Sequence, residues 1–269
     1  MQFSTPQSKL QSEVKSDVEQ SKIKVENTKE VFDLQVTLAQ AYARIHGISL
    51  EEAVKLATPW NRLIGNAFLP SESGESVWEE LDFNKPDELA IAAYNLHCRN
   101  IGADPFYQEI TTLENWGYTV DFEKRRFLLH FTPNLNSQTN PFSSQSLERS
   151  IKEIQQLIFI CVQDHPEIRE LYGASWMVSF PPFRRIMDGL ASEIGSKAIY
   201  NNLEIWFRSS SLYGQFIGID GTIKPERAEQ FKRICEVAMT DEDLSKAFPF
   251  GASECTIPFQ EYNQQLSSI

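Results

Sequence analysis

From Val31 onward large apolar residues recur at helical spacing, as Phe32, Leu34, Leu38, Ala41, Tyr42 and Ile45, and Gly47 supplies a stop. A second helix follows at once, opened by a capping box of Ser49 and Glu52 and ended by Thr58-Pro59. Pro86, Asp87 and Glu88 open a third through Leu89, Ala93 and Leu96, so residues 30–104 read as a helical region. Residues 1–29 are mostly Ser, Gln, Glu, Lys and Val. With almost no large apolar side chain to bury, they read as a disordered or weakly helical tail.

The period then changes to two. Tyr118, Val120 and Phe122 alternate, as do Phe127, Leu129 and Phe131, with Glu123-Lys124 between them, which predicts a hairpin. Alternation sets Leu128 and His130 on the opposite face from the second apolar trio. A polar loop over residues 132–144 leads to a helix striped by Leu147, Ile151, Ile154, Ile158 and Cys161. Its stretch 157–162 is apolar all round, so cover on more than one side is expected. Residues 172–179 read as a short buried strand, and Pro181-Pro182 open a helix that turns Phe183, Ile186, Met187 and Leu190 inward. Two more strands are predicted over residues 198–207 and 212–219, then a helix from Pro225 through Ala228, Phe231, Ile234 and Ala238. The expected class is α+β: residues 105–269 form a mixed, largely antiparallel sheet with flanking helices. Strands 127–131 and 172–179 lie near its centre.

A chain of 269 residues, 41% hydrophobic, holds enough apolar surface for a sizeable core. Its net charge of −12, with basic residues dispersed among acids, argues against a nucleic-acid partner, which requires concentrated positive charge. No run of ~18 apolar residues is present to cross a bilayer. The first residues lack the basic start and apolar run of a secretory signal, so an acidic cytoplasmic protein is expected. Cys98, Cys161, Cys235 and Cys255 are scattered and form no Cys-x-x-Cys pair, and no metal site is expected. Cys161 and Cys235 fall on apolar helix faces, where a thiol packs as a small hydrophobe.

Phosphate-loop, dinucleotide-binding, zinc-protease and nucleophile-elbow motifs are all missing, so candidate chemistry rests on single residues. His130 ends a strand before a polar loop and is the candidate base, set against a plain hydrogen-bonded histidine on the second sheet face. His46, His97 and His165 lie near helix ends and read as solvated or capping groups. Arg184 and Arg185 follow a helix start, where guanidinium and amides can meet one anionic group, or else form a surface pair. Ser175 has the look of a nucleophile but no base in sequence reach. Trp176 and Trp206 read first as core. Tyr213 and Gln215 share one face of a predicted strand, lining either a pocket or a solvated sheet.

The runs His130-Phe131-x-x-Asn134, Gly173-Ala174-Ser175-Trp176, Phe183-Arg184-Arg185 and Tyr213-Gly214-Gln215-Phe216 with Asp220-x-x-x-Lys224 resemble a family of uncharacterised bacterial proteins. The helices from Phe32-x-Leu34-Gln35 to Thr58 are similar to the start of that family. More distantly, the element order from residue 105 is similar to that of GNAT-type N-acyltransferases. Their central strands splay to admit the pantetheine arm of acyl-CoA, and a glycine-rich loop before the next helix binds its pyrophosphate. Here the corresponding residues 132–144 contain no glycine, so the backbone is held further from phosphates.

That resemblance implies an acyltransferase-like reaction on an amine or hydroxyl of a small metabolite, with acyl-CoA as cofactor and His130 as base. Tyr213 or a backbone amide would steady the oxyanion. Asn134, Ser175, Trp176, Arg184, Arg185 and Gln215 would contact the substrate. The competing expectation is a non-catalytic binding or protein-interaction module on the same scaffold, taking an anionic small molecule or peptide terminus in a pocket bordered by His130, Asn134, Arg184 and Gln215, or else offering an apolar patch to a partner. One observation separates them: whether the strands leading to His130 and Trp176 pair along their whole length or part.

Overall fold

The computed structural model describes residues 29–64, 77–100, 110–131, 140–203, 207–218 and 222–259. They fall into two compact units, each assembled from separate stretches of chain. One holds the described parts of residues 108–203 and 252–269, the other those of 24–107 and 204–251. The span 105–269, read from sequence as one sheet domain, is therefore interrupted, because residues 204–251 cluster with the helical region. Among the described residues no helix is long and apolar enough to cross a membrane.

In the helical unit, α1 (Lys29–His46) ends at Gly47 with φ +65°, a left-handed turn that glycine adopts without strain. Ser49 accepts the Glu52 amide at 3.1 Å and starts α2 (Leu50–Ala57), which is followed by α3 (Trp60–Leu63) and α4 (Pro86–Asn100). Phe32, Val36 and Ala39 of α1 join Val54, Trp60, Leu89 and Ala93 in one core. A buried hydrogen bond of 2.6 Å from Trp60 Nε1 to Gln35 Oε1 crosses that core. His97 departs from expectation. It is buried beside Phe32, and its Nδ1 donates to the Leu63 carbonyl at 2.8 Å, because α4 turns it inward with Ala93 and Leu96.

The second stretch of this unit also differs from its sequence reading. Of the strand expected over 212–219, the described residues 212–218 do not form one. They lie largely in a 3₁₀ turn, Ser210–Phe216, and only Ile217 forms a bridge, to Ile223. The buried residues Leu212, Tyr213, Gln215 and Phe216 repeat with a period near three, the 3₁₀ spacing, and the rings of Tyr213 and Phe216 pack on Phe231 and Phe248. Then come α7 (Pro225–Val237) and α8 (Asp241–Ser245). Arg44 of α1 satisfies the carbonyls of Cys235 and Ala238 where α7 ends, at 2.8 and 3.0 Å.

The sheet unit contains β1 (Thr111–Leu113), β2 (Trp116–Asp121), β3 (Arg126–Phe131), α5 (Leu147–Asp164), β4 (Glu170–Ser175), α6 (Pro181–Glu193), β5 (Ile199–Asn202) and β6 (Ser253–Pro258). The spatial order is β1-β2-β3-β4-β6-β5, an open and mostly antiparallel sheet in which β3 and β4 alone run parallel. The hairpin and its register follow the alternation: Val120 faces Phe127 and Tyr118 faces Leu129. Helices α5 and α6 contribute Ile154, Ile158, Phe183, Ile186, Met187 and Leu190 to a core with Trp116, Phe127, Leu171, Cys255 and Ile257.

Three element readings are corrected in this unit. The strand expected over 172–179 ends at Ser175, whose Oγ accepts the Met177 amide at 2.9 Å and starts a 3₁₀ turn, Trp176–Ser179. Of the strand expected over 198–207, the described residues are regular at Ile199–Asn202, and residues 204–206, Trp206 among them, lie outside the described residues. Helix α5 is covered on one face: Leu157, Ile158 and Cys161 are buried while Phe159 is 42% exposed. The last strand, β6, was not expected. It lies between β4 and β5 and completes the sheet.

Candidate functional site

At the centre of the sheet the parallel ladder between β3 and β4 is short. It couples Arg126 to Glu170, Phe127 to Leu171 and Leu128 to Tyr172, and there it stops. Beyond that point Leu129–Phe131 remain in register with β2, and Gly173–Ser175 with β6. Gly173 sits just past the last coupled pair on the helix-covered face. It is buried, yet among the described residues a Cβ placed on it meets no atom within 4 Å beyond its chain neighbours. Room is therefore left where a close-packed interior normally has none. On that side the half-buried rings of Phe131, Phe142 and Phe180 form a row, with centroids 5.0 and 5.5 Å apart, and Trp176 follows at 6.1 Å from Phe180.

The opposite face of the sheet is polar and only partly covered. Alternation assigns it Thr119, His130, Arg126, Glu170, Tyr172, Ala174, Asn201 and Glu254, since their neighbours in sequence fill the core. Arg126 pairs with Glu170, and its guanidinium lies over the Tyr172 ring, 4.4 Å from the centroid. Tyr172 donates its hydroxyl to Glu254 Oε2 at 2.8 Å, and Asn201 Nδ2 donates to Glu254 Oε1 at 2.9 Å. Those bonds, from Asn201 first and then Tyr172, hold the Glu254 carboxyl below its usual range, so it stays ionised. Burial, together with the acceptor Glu254, pushes the Tyr172 phenol up to about 12.

Several candidates read from sequence fall around this place. His130 lies on β3 in the stretch beyond the ladder, half-buried, with Nε2 2.8 Å from Thr119 Oγ1. Ser175 and Trp176 stand at the end of β4. Arg184 is committed to structure: its Nε donates to the Val178 carbonyl at 2.8 Å and its guanidinium stacks on Tyr200 at 4.8 Å. Arg185 is exposed on α6. Asn134 lies outside the described residues.

Tyr213 and Gln215 belong to the helical unit. Tyr213 is 1% exposed between Phe231 and Phe248, and burial raises its phenol well above the usual range. Gln215 is fully buried. Its amide bridges the Leu212 carbonyl and the Phe250 backbone, the work of a structural glutamine. Cys161, Cys235 and Cys255 are buried thiols pushed up to about 12 by desolvation, which leaves little thiolate for chemistry.

The residues that sequence reading missed are Tyr172, Asn201 and Glu254. The signal for Glu254 was available: Ser253, Cys255 and Ile257 alternate with Glu254, Thr256 and Pro258 at the strand period. Among the described residues, no group of three or more His, Cys, Asp or Glu side chains is placed to hold a metal ion. Comparison of the chain with protein-family models, with curated proteins and with solved structures returns no match.

Proposed function

We propose that the sheet unit is a GNAT-like acyltransferase scaffold, and that the gap between β3 and β4 receives the pantetheine arm of an acyl-CoA. The observation that carries this reading is the parallel ladder that ends at Leu128 and Tyr172, with space at Gly173 immediately beyond it that no described residue fills. Support also comes from connectivity: antiparallel strands lead to β3, helix α5 crosses to parallel β4, and after α6 the chain returns through β5 to an inserted β6. Both features support the splayed-strand reading.

In this reading the thioester lies between the two strand ends, and the amine or hydroxyl acceptor approaches from the polar face. Proximity supplies most of the acceleration. A backbone amide at the strand ends steadies the oxyanion, a role for which enclosed Tyr213 is poorly placed. His130 takes the acceptor's proton, and its bond to Thr119 decides which ring nitrogen is used. Residues 132–144 have no glycine, so the pyrophosphate relies on the first turn of α5, where Ser146 gives no side-chain cap to compete for the amides.

A second reading, donor binding without turnover, draws on the same glycine-free segment and on the absence of any nucleophile and base motif in the sequence. Titration calorimetry with acetyl-CoA and longer acyl-CoA thioesters, followed by thiol release in the presence of amines, separates the two. Binding with release supports transfer. Binding without release supports the second reading. If neither is detected, the acyl-CoA site is wrong.

A further inference from the structure

On the polar face of the sheet, we infer that Glu254 is the anchor of a cation site that takes an ammonium group. On the acyl-transfer reading, which this assignment extends, that ammonium is the second positive charge of a diamine-type acceptor. The carboxylate is fixed rather than free to swing, because Asn201 holds one oxygen and Tyr172 the other. Each carboxylate oxygen has two acceptor positions, so among the described residues one on each oxygen remains for a ligand donor. On the side of the gap its nearest strand neighbour is small. The register partner of Glu254 on β4 is Ala174, which is exposed and belongs to the stretch beyond the β3–β4 ladder.

Charge on this face agrees. Arg126 is matched by its own partner Glu170, while Asp121 on β2 caps the Lys124 amide and brings a further negative charge. Among the charged strand residues of this face Asp121, Glu170 and Glu254 stand against Arg126, a balance that favours a cation and opposes a second carboxylate. Because its bonds hold Glu254 ionised, the residue is an anchor and not the proton acceptor of the reaction.

Adjacent strands lie about 5 Å apart, so Glu254 stands one strand away from the gap. An amine with a second ammonium a few bonds distant reaches both places. The near nitrogen, deprotonated, attacks the thioester carbonyl. A C–N bond forms and the C–S bond breaks, and the proton lost from nitrogen ends on the departing CoA thiolate, giving an amide and free CoA thiol. The far ammonium stays on Glu254 throughout, so it contributes to binding and orientation.

The test is calorimetric binding of 1,4-diaminobutane and of 4-aminobutanoate, which carries a carboxylate where the diamine has its second ammonium, to the full chain at low salt. The diamine is expected to bind at least tenfold tighter, and Glu254→Gln is expected to abolish that preference. Asn201→Ala, at the exposed edge strand, should reduce it without disturbing the core. Equal binding of the two compounds, or a Glu254→Gln variant that keeps the preference while folded by circular dichroism, overturns the site. Acetyl-CoA binding is measured separately. A chain that binds acetyl-CoA but shows no preference for the diamine loses the cation site and keeps the transfer reading, whereas the opposite result keeps the site and removes the transfer reading. Where release is measurable, Glu254→Gln should raise KM for the diamine with kcat little changed, the pattern of an anchoring group.

Discussion

Tyr172 and Glu254 make one bond that can be followed by titration. The neutral phenol donates to the carboxylate, and ionising it would set two negative charges side by side. The folded phenol is held at about 12 against an ordinary 10.0, so its stabilising contribution is complete below pH 10 and is lost as pH rises through about 12. In Glu254→Gln the cause supplied by the carboxylate disappears while burial remains. One tyrosine should then ionise at lower pH, seen as an earlier phenolate absorbance step than in the unchanged protein. An unchanged titration curve would show that the two side chains are not in contact. The position of His130 on the second face of β3 was legible from the alternation of Phe127, Leu129 and Phe131, but Thr119 became its partner only through the β2–β3 register.

Elements are joined here through two glycines with opposite environments. Gly173 on β4 has open space where a side chain would begin, and its φ is not left-handed, so a larger residue fits without backbone strain. Gly173→Val should therefore fold with a thermal midpoint near that of the unchanged chain, yet weaken acyl-CoA binding by about tenfold or more by filling the gap. Retained affinity in a folded Gly173→Val protein would move the donor elsewhere. Gly189 on α6 is the reverse case: a Cβ there would lie 2.5 Å from Ile151 Cδ1 of α5. Overpacking of this kind costs about 1–3 kcal/mol, and the better helix propensity of alanine returns up to about 1. Gly189→Ala should lose about 1 kcal/mol in urea unfolding, because the clash is with the movable end of a side chain. A gain in stability would show that the two helices separate at no cost.

At the scale of the whole molecule, the sheet unit depends on a strand that arrives after an excursion of about fifty residues through the other unit. β6 is coupled to β4 over six residue pairs and to β5 over four, and β5 has no other coupled neighbour among the described strands. It also buries Cys255 and Ile257, with Phe259 just after it. Fully buried side chains such as Ile257 and Phe259 contribute about 1.5–3 kcal/mol each, and a domain's margin is only about 5–15 kcal/mol. A chain ending before Ser253 should lose the near-ultraviolet signal of the packed sheet and the hydrogen-exchange protection of β4. Retained protection would mean that β4 is held by β3 and the helices alone.

By itself the sequence determined the helices of residues 30–104, the β2–β3 hairpin with its face assignment, and helices α5, α6 and α7. In each, periodicity and end signals agree within one stretch of chain: Ser49 and Gly47 for the first helices, Pro181 and Pro225 for later ones. Only the tertiary structure decided the rest. Residues 212–216 have side chains that suit a strand, but packing on Phe231 and Phe248 wound them into a 3₁₀ turn. Gln215, polar enough to suggest a pocket, became a backbone brace through Phe250, thirty-five residues away. The end of the β3–β4 ladder depends on where two strands from distant stretches meet and part. The Tyr172–Glu254–Asn201 group depends on the placing of β6 between β4 and β5. Local pattern records the preference of a segment for a shape, whereas a site is made by contacts between segments, and those are set by how the segments pack.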